Sequence, residues 1–544
     1  MLRRVSSALF TSLGCAKLFN TPTSIQHLPN EMLTEVACFL SKADQVALIR
    51  VNRHFHALVE PLIWRELTSI MPLLLLLPEY FELEDVPLPP RSPAGRTGID
   101  FKCLRRLCDL SPDMWRDIPN LERLAGHVRK LLLHPCSDIH WDVKHPTFIQ
   151  SGRLVIDWTT FKAVAKSLQG ARGVQLLPTR NLQSLEVNSC FIRGLSTQML
   201  IPFLTGGNVT TFESHCALSR FGRCLARGEL KTFGYYEPSP EIVGWPDQQD
   251  ALLIPALRDL EPKIHTLDAL RLRLSYGQQL LPLLHPAAET LKALDVEIKR
   301  LIGAVPDYGL DNLRSLTVRK QKAAFVRALA GSPYLERVHL QDVTLANADG
   351  MSVAMERLGT GALRRLHIEE KIPQRSDPAW YLERCHLDAL ASAHRLVELD
   401  LHASNGISLT DEDWASLIPS WPCLRYFRLQ PGRRRRSRDA VPYVPQATLA
   451  TLTHFARCCP DLGELSIPLN VDGVPSLANE PEVGKNRLIK LDLGLCSVIR
   501  LDVDPTRVTG FLRRLFPALR DLQVTAARPG DIDTWDQVKQ TLVV

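Results

Sequence analysis

The stretch LPNEMLTEVACFLSKADQVALIRVNRHFHALVEPLIW, residues 28–64, decides the fold of the N-terminal part of the chain. Its opening leucine-proline pair is a rigid start, because proline fixes φ and cannot continue a helix from upstream. Asn30 is placed to cap a first helix, and Ser41 begins an S-x-x-D signal that predicts a second helix. A third amphipathic run is predicted to end at Pro61. The pattern therefore predicts three short helices.

Three helices of this length enclose only a small interior. Four apolar residues exceed what that interior needs: Leu28, Pro29, Leu33 and Val36. The surplus predicts an exposed apolar strip, and such strips mark sites where partner proteins bind. An ordinary helical cap on a larger fold is the alternative interpretation.

This stretch resembles an F-box. The matching features are the Leu-Pro-x-Glu opening, the Phe-Leu end of the first helix, Asp44 before the second helix, the Val-x-x-x-Phe core and the Pro-Leu-x-Trp close. One departure is Phe55, where many members of the family have tryptophan. The resemblance implies docking onto the Skp-type linker of an SCF ubiquitin ligase and, through the linker, onto a cullin. The linker-binding residues that it implies are Leu28, Pro29, Glu31, Leu33, Val36, Leu40, Val51, Phe55 and Trp64.

The composition is that of a globular protein with more than one small core. A chain of 544 residues is expected to form several domains or one long repeat array. Its 65 basic and 59 acidic residues leave a net charge of +6, which does not by itself indicate nucleic-acid binding. The longest apolar run, residues 71–78, is too short to span a membrane and contains prolines. We therefore expect neither a nucleic acid nor a membrane as partner.

The 13 cysteines form no CxxC pair and no cysteine–histidine spacing typical of a metal site. Their odd number and scattered positions indicate free thiols in a reducing compartment. The basic N-terminus, residues 1–23, is interpreted as a flexible tail, with a mitochondrial transit peptide as the alternative. The expected localisation is cytoplasmic, nuclear or both.

A hexapeptide pattern, L-x-x-L-x-[LIV], recurs through most of the remaining chain. Copies, some with Val or Phe at the second leucine position, begin at Leu182, Leu267, Leu291, Leu313, Leu335, Leu363, Leu396, Leu424, Leu462, Leu488 and Leu519. From Leu267 onward the steps between copies run from 22 to 38 residues by subtraction. Leucine-rich repeats have a period of about 20–29 residues. The series therefore predicts a repeat array.

Helical runs fill several segments between the copies, and a proline often stands just before the next copy. The helical runs are residues 323–330, 414–418, 449–458 and 508–515. Each unit thus consists of a strand, a turn and a helix that a proline ends. Such a unit cannot bury its apolar face alone, so the units must stack. This part resembles the leucine-rich-repeat domains that commonly follow an F-box. The predicted fold is an α/β solenoid of irregular repeats, with parallel strands on the concave side and helices on the convex side; a mixed α/β domain without a superhelix is the alternative.

The predicted boundaries are residues 1–23 for the flexible N-terminus, 24–67 for the F-box, 68–120 for a proline-rich linker with a helical segment, 121–530 for the solenoid and 531–544 for a C-terminal cap or tail. The helical segment is predicted at residues 100–110. An Arg-rich loop over residues 431–447 lies within the longest step between copies. It is interpreted as a nuclear import signal, a docking site for an acidic or phosphorylated partner, or a solvated loop.

No catalytic pattern stands out in the sequence. It contains no G-x-S-x-G, no G-x-x-x-x-G-K-[ST] and no H-E-x-x-H. His134, His140 and His145 lie close together, but no fourth metal ligand can be named for them. We therefore predict a protein that is not an enzyme and that holds no metal and no cofactor.

The strands of the repeats predict a binding face. Apolar residues of the pattern point inward, so alternate residues point outward on the concave side. The candidate target-binding residues are Arg319, Arg337, His339, Arg365, His367, Asp400, Tyr426 and Arg428. The arginines and histidines of the two middle repeats are expected to converge, because parallel strands lie about 4.8 Å apart. Since arginine binds carboxylate and phosphate groups in bidentate fashion, we expect an acidic or phosphorylated segment as ligand.

The combined resemblance implies a non-catalytic substrate-recognition subunit of an SCF-type, cullin-RING E3 ubiquitin ligase. The F-box would bind the Skp-type linker, and the repeats would bind a protein target. One alternative is a leucine-rich-repeat scaffold or binding protein that delivers no substrate for ubiquitination. Another is a mitochondrial or nucleic-acid-associated repeat protein that uses its basic N-terminus or the Arg-rich loop.

Overall fold

The computed structural model divides the chain into two compact units. One comprises the chain up to residue 230 with residues 238–260, and the other comprises residues 231–237 and 261–544. The structure describes residues 28–67, 71–76, 81–86, 101–106, 123–133, 148–151, 154–157, 181–187, 208–214, 229–236, 260, 264–276, 281–300, 308–344, 348–370, 381–403, 406–431, 444–471, 473–476, 486–494, 498–499, 503–524 and 529–543. The single domain predicted over residues 121–530 is thus distributed over both units.

The first unit begins with the three predicted helices, α1 (Asn30–Cys38), α2 (Lys42–Ile49) and α3 (Arg53–Arg65). Side-chain caps fix where two of them start. Ser41 Oγ accepts a hydrogen bond from the Asp44 N–H at 3.2 Å, which confirms the predicted S-x-x-D signal. Asn52 Oδ1 accepts from the Phe55 N–H at 2.8 Å at the start of α3.

Two predictions about these helices are wrong. Asn30 does not cap α1, because Pro29, with φ −54° and ψ 147°, already directs the chain into the helix and Asn30 is its first residue. Pro61 does not end α3, which continues to Arg65. A proline removes one backbone hydrogen bond, but burial of Phe55 and Val59 on the inner face of α3 outweighs that loss.

The other described residues of the first unit are mainly in β-strands. Its strands are β1 (Glu66–Leu67), β2 (Phe81–Val86), β3 (Phe101–Arg106), β4 (Lys130–Leu133), β5 (Phe148–Ser151), β6 (Leu154–Asp157), β7 (Ser184–Val187) and β8 (Thr211–Ser214), with a short helix, α4 (Met71–Leu74). In one sheet, β1, β4, β7 and β8 pair in parallel in that order. Leu131, Leu185 and Phe212 align across it and are buried, as the repeat pattern predicts. The other sheet has the order β2-β3-β6-β5.

The helix predicted at residues 100–110 is wrong. Strand β3 occupies most of this segment and pairs antiparallel with β2, with Glu82 opposite Arg105 and Asp85 opposite Lys102. Apolar spacing favoured a helix on local grounds only. Pairing with a strand earlier in the chain overrides such a local preference.

The second unit contains one long parallel sheet in its described residues. Its strands are β9 (Thr232–Tyr236), β10 (Ala269–Tyr276), β11 (Ala293–Arg300), β12 (Ser315–Arg319), β13 (Arg337–Val343), β14 (Arg365–Glu370), β15 (Glu398–Ala403), β16 (Tyr426–Pro431), β17 (Glu464–Ser466), β19 (Lys490–Asp492) and β21 (Asp521–Gln523). They pair in parallel in chain order, and β18 (Asn470–Val471) pairs separately with β20 (Val498–Ile499). This sequential parallel order is that of a leucine-rich-repeat solenoid.

The leucine pattern forms the core of this sheet. Leu316, Val338, Leu366, Leu399 and Phe427 occupy equivalent positions on successive strands and are all buried. Full burial of one such side chain contributes about 1.5–3 kcal/mol. The repeat prediction is therefore confirmed at the level of which residues point inward.

Helices pack on the side of the sheet that carries the buried leucines. They are α5 (Leu281–Ala287), α6 (Ala323–Leu329), α7 (Ala348–Leu358), α8 (Arg384–Asp388), α9 (Asp411–Leu417), α10 (Ala450–Cys458), α11 (Pro505–Leu515) and α12 (Pro529–Val543). Trp414 of α9 and Phe455 of α10 pack on Phe427, with ring centroids 5.7 and 4.9 Å away. All four predicted helical runs are confirmed, and the predicted C-terminal cap is α12, whose Trp535 and Val538 are buried.

Polar side chains complete the turns in ways that differ between repeats. Gln321 lies two residues after strand β12, and its buried amide donates to the Ile298 carbonyl. Asn486 donates to the Cys459 carbonyl at 2.9 Å. These differences between turns agree with the predicted irregularity of the repeats.

Candidate functional site

An exposed apolar surface lies on the three-helix unit. Met32, Phe39 and Val51 leave 41%, 85% and 50% of their surface accessible to solvent. Phe39 directly follows α1 and keeps helical backbone angles, about two turns after Met32, so the two residues lie on the same side of this helical segment. An aromatic side chain exposed to this degree, on a unit that exposes two further apolar side chains, indicates a site for a partner.

The structure separates the predicted linker-binding residues into two groups. Seven are exposed or half-buried: Leu28, Pro29, Glu31, Val36, Leu40, Val51 and Trp64. Leu33 and Phe55, in contrast, are only 5% and 3% exposed. The predicted exposure of Leu33 is wrong, because three short helices need it, with Phe55, Ala37 and Val59, as their interior. Linker binding by the nine residues stays a prediction.

Polar contacts hold the three helices in place. Gln45 is buried, and its Nε2 donates to the Ala37 carbonyl at 2.8 Å, beside the end of α1. Lys42 Nζ donates to the carbonyls of Leu62 and Ile63 at 2.7 and 3.1 Å. Burial lowers the pKa of Lys42, and the carboxylate of Glu66 partly opposes this. The apolar surface therefore stands on a unit whose helix ends are fixed.

A second candidate surface is the outward face of β12–β16, which we call the strand face. One row across it consists of Thr317, His339, His367, Asp400 and Arg428, and the neighbouring row consists of Ser315, Arg337, Arg365, Glu398 and Tyr426. Alternation along each strand directs both rows away from the leucine core. The predicted convergence of the arginines and histidines of the two middle repeats is confirmed by this register.

All residues of the two rows except Arg428 line a pocket of about 340 Å³. The side chains at its edges are basic on β13 and β14, where Arg337 and Arg365 lie, and acidic on β15, where Glu398 and Asp400 lie. Tyr426 contributes the lining on β16. The volume is at the lower end of the range for small-ligand sites, which is about 300–1,000 Å³.

Asp400 is the centre of a network on the strand face. Its Oδ2 lies 3.0 Å from His367 Nδ1 and 3.8 Å from an Arg428 nitrogen, while its Oδ1 lies 3.2 Å from His402 Nε2. The His339 and His367 rings meet edge to face, with centroids 4.4 Å apart. The strand face is therefore an organised polar layer.

This network changes the pKa values of its members. Burial raises the pKa of Asp400, but the contacts from His367 and His402 outweigh burial and hold that pKa well below its usual range. Burial, together with electrostatic repulsion from the neighbouring His367 and Arg319 side chains, lowers the pKa of His339. At neutral pH, Asp400 is therefore ionised and His339 is neutral.

Most arginines of the strand face are already paired. Arg319 forms an ion pair with Asp295 and donates from Nε to Gln341 Oε1 at 3.1 Å. Arg365 Nε lies 3.3 Å from Glu398 Oε2. Arg337 has no acidic side chain within 4.0 Å among the described residues. The predicted basic patch is thus largely neutralised, because repeats with opposite charges are stacked in register.

Metal and membrane sites were also sought among the described residues. They contain no group of three or more histidine, cysteine or acidic side chains that could hold a metal ion. No helix in the described ranges is long and apolar enough to cross a bilayer. Three predicted features lie outside the described residues: the N-terminal tail, the three clustered histidines and the arginines of the Arg-rich loop.

Comparison with known proteins identifies the three-helix unit. A family model described as F-box-like matches residues 25–69. No curated protein matches the chain. The Rad7 and Elc1 complex in yeast is similar over 68% of this chain and 85% of that chain, at 13% identity and a TM-score of 0.33. An internalin from Listeria monocytogenes is similar over 73% and 90%, at 12% identity and a TM-score of 0.30.

Sequence reasoning missed two features of these surfaces. Met32 and Phe39 were not among the predicted contacts, although their seven-residue spacing places them on one helix side. The ion pair between Glu398 and Arg365 was not predicted either, although aligning the repeats places the two residues side by side. The spacing and the alignment are the signals that could have found them.

Proposed function

We propose that this protein is a non-catalytic substrate-recognition subunit of an SCF-type, cullin-RING ubiquitin ligase. The F-box-like unit binds a Skp-type linker and, through it, a cullin. The strand face binds a protein target, and other subunits carry out ubiquitin transfer. The protein acts in the cytoplasm, the nucleus or both.

The observation that carries the proposal is the exposed apolar surface within the F-box-like match. Phe39 is 85% exposed although it is aromatic, and Met32 and Val51 are also exposed. Aromatic side chains that enter a partner's pocket supply much of the binding free energy of protein interfaces. A docking role explains why these residues are apolar and yet contribute little to the interior of the unit.

Target binding by the strand face is supported by its preorganisation. Asp400, His367 and Arg428 are held by mutual contacts, so little side-chain entropy remains to be lost on binding. The pocket beside them is large enough to admit a side chain of a partner.

Linker binding is tested with the double variant Met32→Asp, Phe39→Asp. We expect its affinity for a purified Skp-type linker to fall about a hundredfold or more, because two charges would be buried in an apolar interface. A matched control is Tyr334→Asp, Ile489→Asp, since both residues are 56% exposed and lie in the second unit. Linker binding that survives the first variant would overturn the proposal.

Substrate delivery is tested separately by reconstitution with linker, cullin, RING subunit and ubiquitin-transfer enzymes. Proteins captured by the full-length chain from a lysate should acquire ubiquitin only when the F-box-like surface is intact. Linker binding without ubiquitin transfer to any captured protein would instead support the scaffold alternative.

A further inference from the structure

We propose that the pocket on the strand face is an oxyanion subsite and that Glu398 is an internal competitor for it. The ligand group is a carboxylate of an acidic side chain or a phosphate on a modified serine or threonine. The inference rests on the proposed function only in taking the ligand to be part of a protein target.

The first element of the subsite is Arg337. It lines the pocket and is exposed, and no acidic side chain lies within 4.0 Å of it among the described residues. A guanidinium group offers a planar set of donors that matches the two oxygens of a carboxylate or phosphate. Ser315, on the preceding strand, lines the same side of the pocket. Arg337 is therefore placed to receive an external anion.

The second element is Arg365, which occupies the position next to Arg337 on the adjacent strand. Its Nε lies 3.3 Å from Glu398 Oε2, and the two side chains are 57% and 40% exposed. Ion pairs with this exposure are weak, because water competes for both partners. An incoming oxyanion can therefore share Arg365 with Glu398 or replace Glu398 there.

The other charges around the pocket are less available. Asp400 is buried and contacts two histidines and Arg428, and Arg428 also donates to Gln430 Oε1 at 3.2 Å. Arg319 is engaged by Asp295 and Gln341. The carboxylate of Glu398 is already paired with Arg365, so it attracts a cationic ligand only weakly. The charge left without a partner is positive, which selects an anion.

The competitor has a testable consequence. Removing the negative charge of Glu398 frees Arg365 and removes repulsion of the ligand, so anion binding should become stronger. An ordinary structural ion pair would give the opposite result, because its loss would leave a less ordered site. The sign of this effect therefore distinguishes a competitor from a support.

The test uses the full-length chain and libraries of peptides with randomised flanks and a fixed central residue. The centre is phosphoserine, glutamate, glutamine or lysine, and enrichment on the protein is measured by sequencing of the bound pool. We expect phosphoserine or glutamate centres to be enriched, and inorganic phosphate to reduce that enrichment. Arg337→Ala should lower the enrichment about tenfold or more. Glu398→Gln should raise it about threefold or more.

Matched controls come from an ion pair outside the pocket. Arg314 and Glu336 lie 3.7 Å apart with side chains 59% and 37% exposed, close to the values of the Arg365–Glu398 pair. Arg314→Ala and Glu336→Gln should leave the enrichment unchanged. Enrichment of only one anionic centre would identify which source of the oxyanion the pocket takes.

Results of two kinds would overturn the inference. Equal enrichment of anionic and neutral centres, or enrichment unaffected by Arg337→Ala, would remove the oxyanion subsite. Unchanged or weaker enrichment by Glu398→Gln would remove the competitor. Linker affinity measured on the same preparations keeps this failure distinct from a failure of the proposed function.

Discussion

The F-box-like unit and the strand face differ in the kind of side chain that they expose to solvent. The F-box-like unit exposes apolar side chains, of which Phe39 is the most exposed. The strand face exposes charged side chains, and neighbours in register neutralise most of them, as Glu398 does for Arg365. A chain can neutralise its own charges across adjacent strands, whereas exposed apolar residues are removed from water only by a partner.

This difference predicts different binding behaviour. Burial of an apolar surface supplies affinity, whereas a polar surface with few free charges supplies selectivity and responds to salt and pH. Linker binding should therefore be strong and little affected by pH. Target binding should depend on the small number of groups that remain available, Arg337 first among them.

The largest expected effect contrasts two phenylalanines of the F-box-like unit. Phe55 is 3% exposed and Phe39 is 85% exposed. Phe55→Ala should lower the free energy of unfolding of this unit by about 3–5 kcal/mol. Phe39→Ala should change it by no more than about 0.5 kcal/mol, because the side chain has little packing to lose. Chemical denaturation of the full chain, followed by hydrogen exchange in residues 28–67, measures both.

The linker affinities of the same two variants provide a second comparison. Phe39→Ala should weaken linker binding without loss of structure, whereas Phe55→Ala should weaken it only to the extent that the unit unfolds. Equal losses of stability in the two variants would contradict the division into interior and docking residues.

The next effect concerns the charge at the centre of the strand face. Asp400→Asn leaves His367, His402 and Arg428 without their carboxylate, and should lower the free energy of unfolding by about 2–3 kcal/mol at pH 7. The pKa of Asp400 is held below its usual range, so its contribution is fully present above about pH 4 and is lost as pH falls through the folded-state pKa. Denaturation curves of both proteins between pH 7 and pH 3 measure this.

As pH falls, the free energy of unfolding of Asp400→Asn should therefore decrease less than that of the native protein. Parallel curves for the two proteins over the whole pH range would show that Asp400 is not held ionised by its neighbours.

The smallest effect is the pH dependence of ligand selection. His339 faces Thr317 and Arg319 on β12, Asp295 on β11, Arg365 and His367 on β14, and Asp400 on β15. Its pKa is lowered, chiefly by burial, so it gains a proton only below the usual histidine range. A proton there adds positive charge beside the proposed oxyanion subsite. Enrichment of glutamate-centred peptides, which keep their charge over this range, should rise about twofold or more from pH 7.5 to pH 5.5. Phosphoserine loses charge near about pH 6, so these peptides are left out of this measurement.

His339→Gln should remove most of this rise while keeping enrichment at pH 7.5. An undiminished rise in the variant would assign the pH dependence to another histidine of the strand face.

The sequence predicted ordered patterns well and individual contacts poorly. The repeat leucines, for example Leu316 and Leu366, point inward as expected, because burial of one strand side follows from alternation alone. Strand β3 was missed because its partner strand, not its own composition, selects its conformation. The pairing of Arg365 with Glu398 depends on side-chain geometry between strands, which spacing within one strand does not contain.

The same limit applies to the F-box-like unit. The order of its residues predicted the three helices, but not that Leu33 points inward while Met32 points outward. These two residues are adjacent in sequence and similar in hydrophobicity. Only the packing angle of the helices decides between them.

The central claim is that the two surfaces bind different partners independently. It is tested most directly by quantifying the proteins that co-purify with three versions of the full-length chain: the native protein, Met32→Asp with Phe39→Asp, and Arg337→Glu with Arg365→Glu. We expect the linker and cullin to be lost only from the first variant and target proteins only from the second, with all thermal transitions unchanged. Retention of the linker by the first variant, or loss of both classes of partner from either variant, would contradict the account.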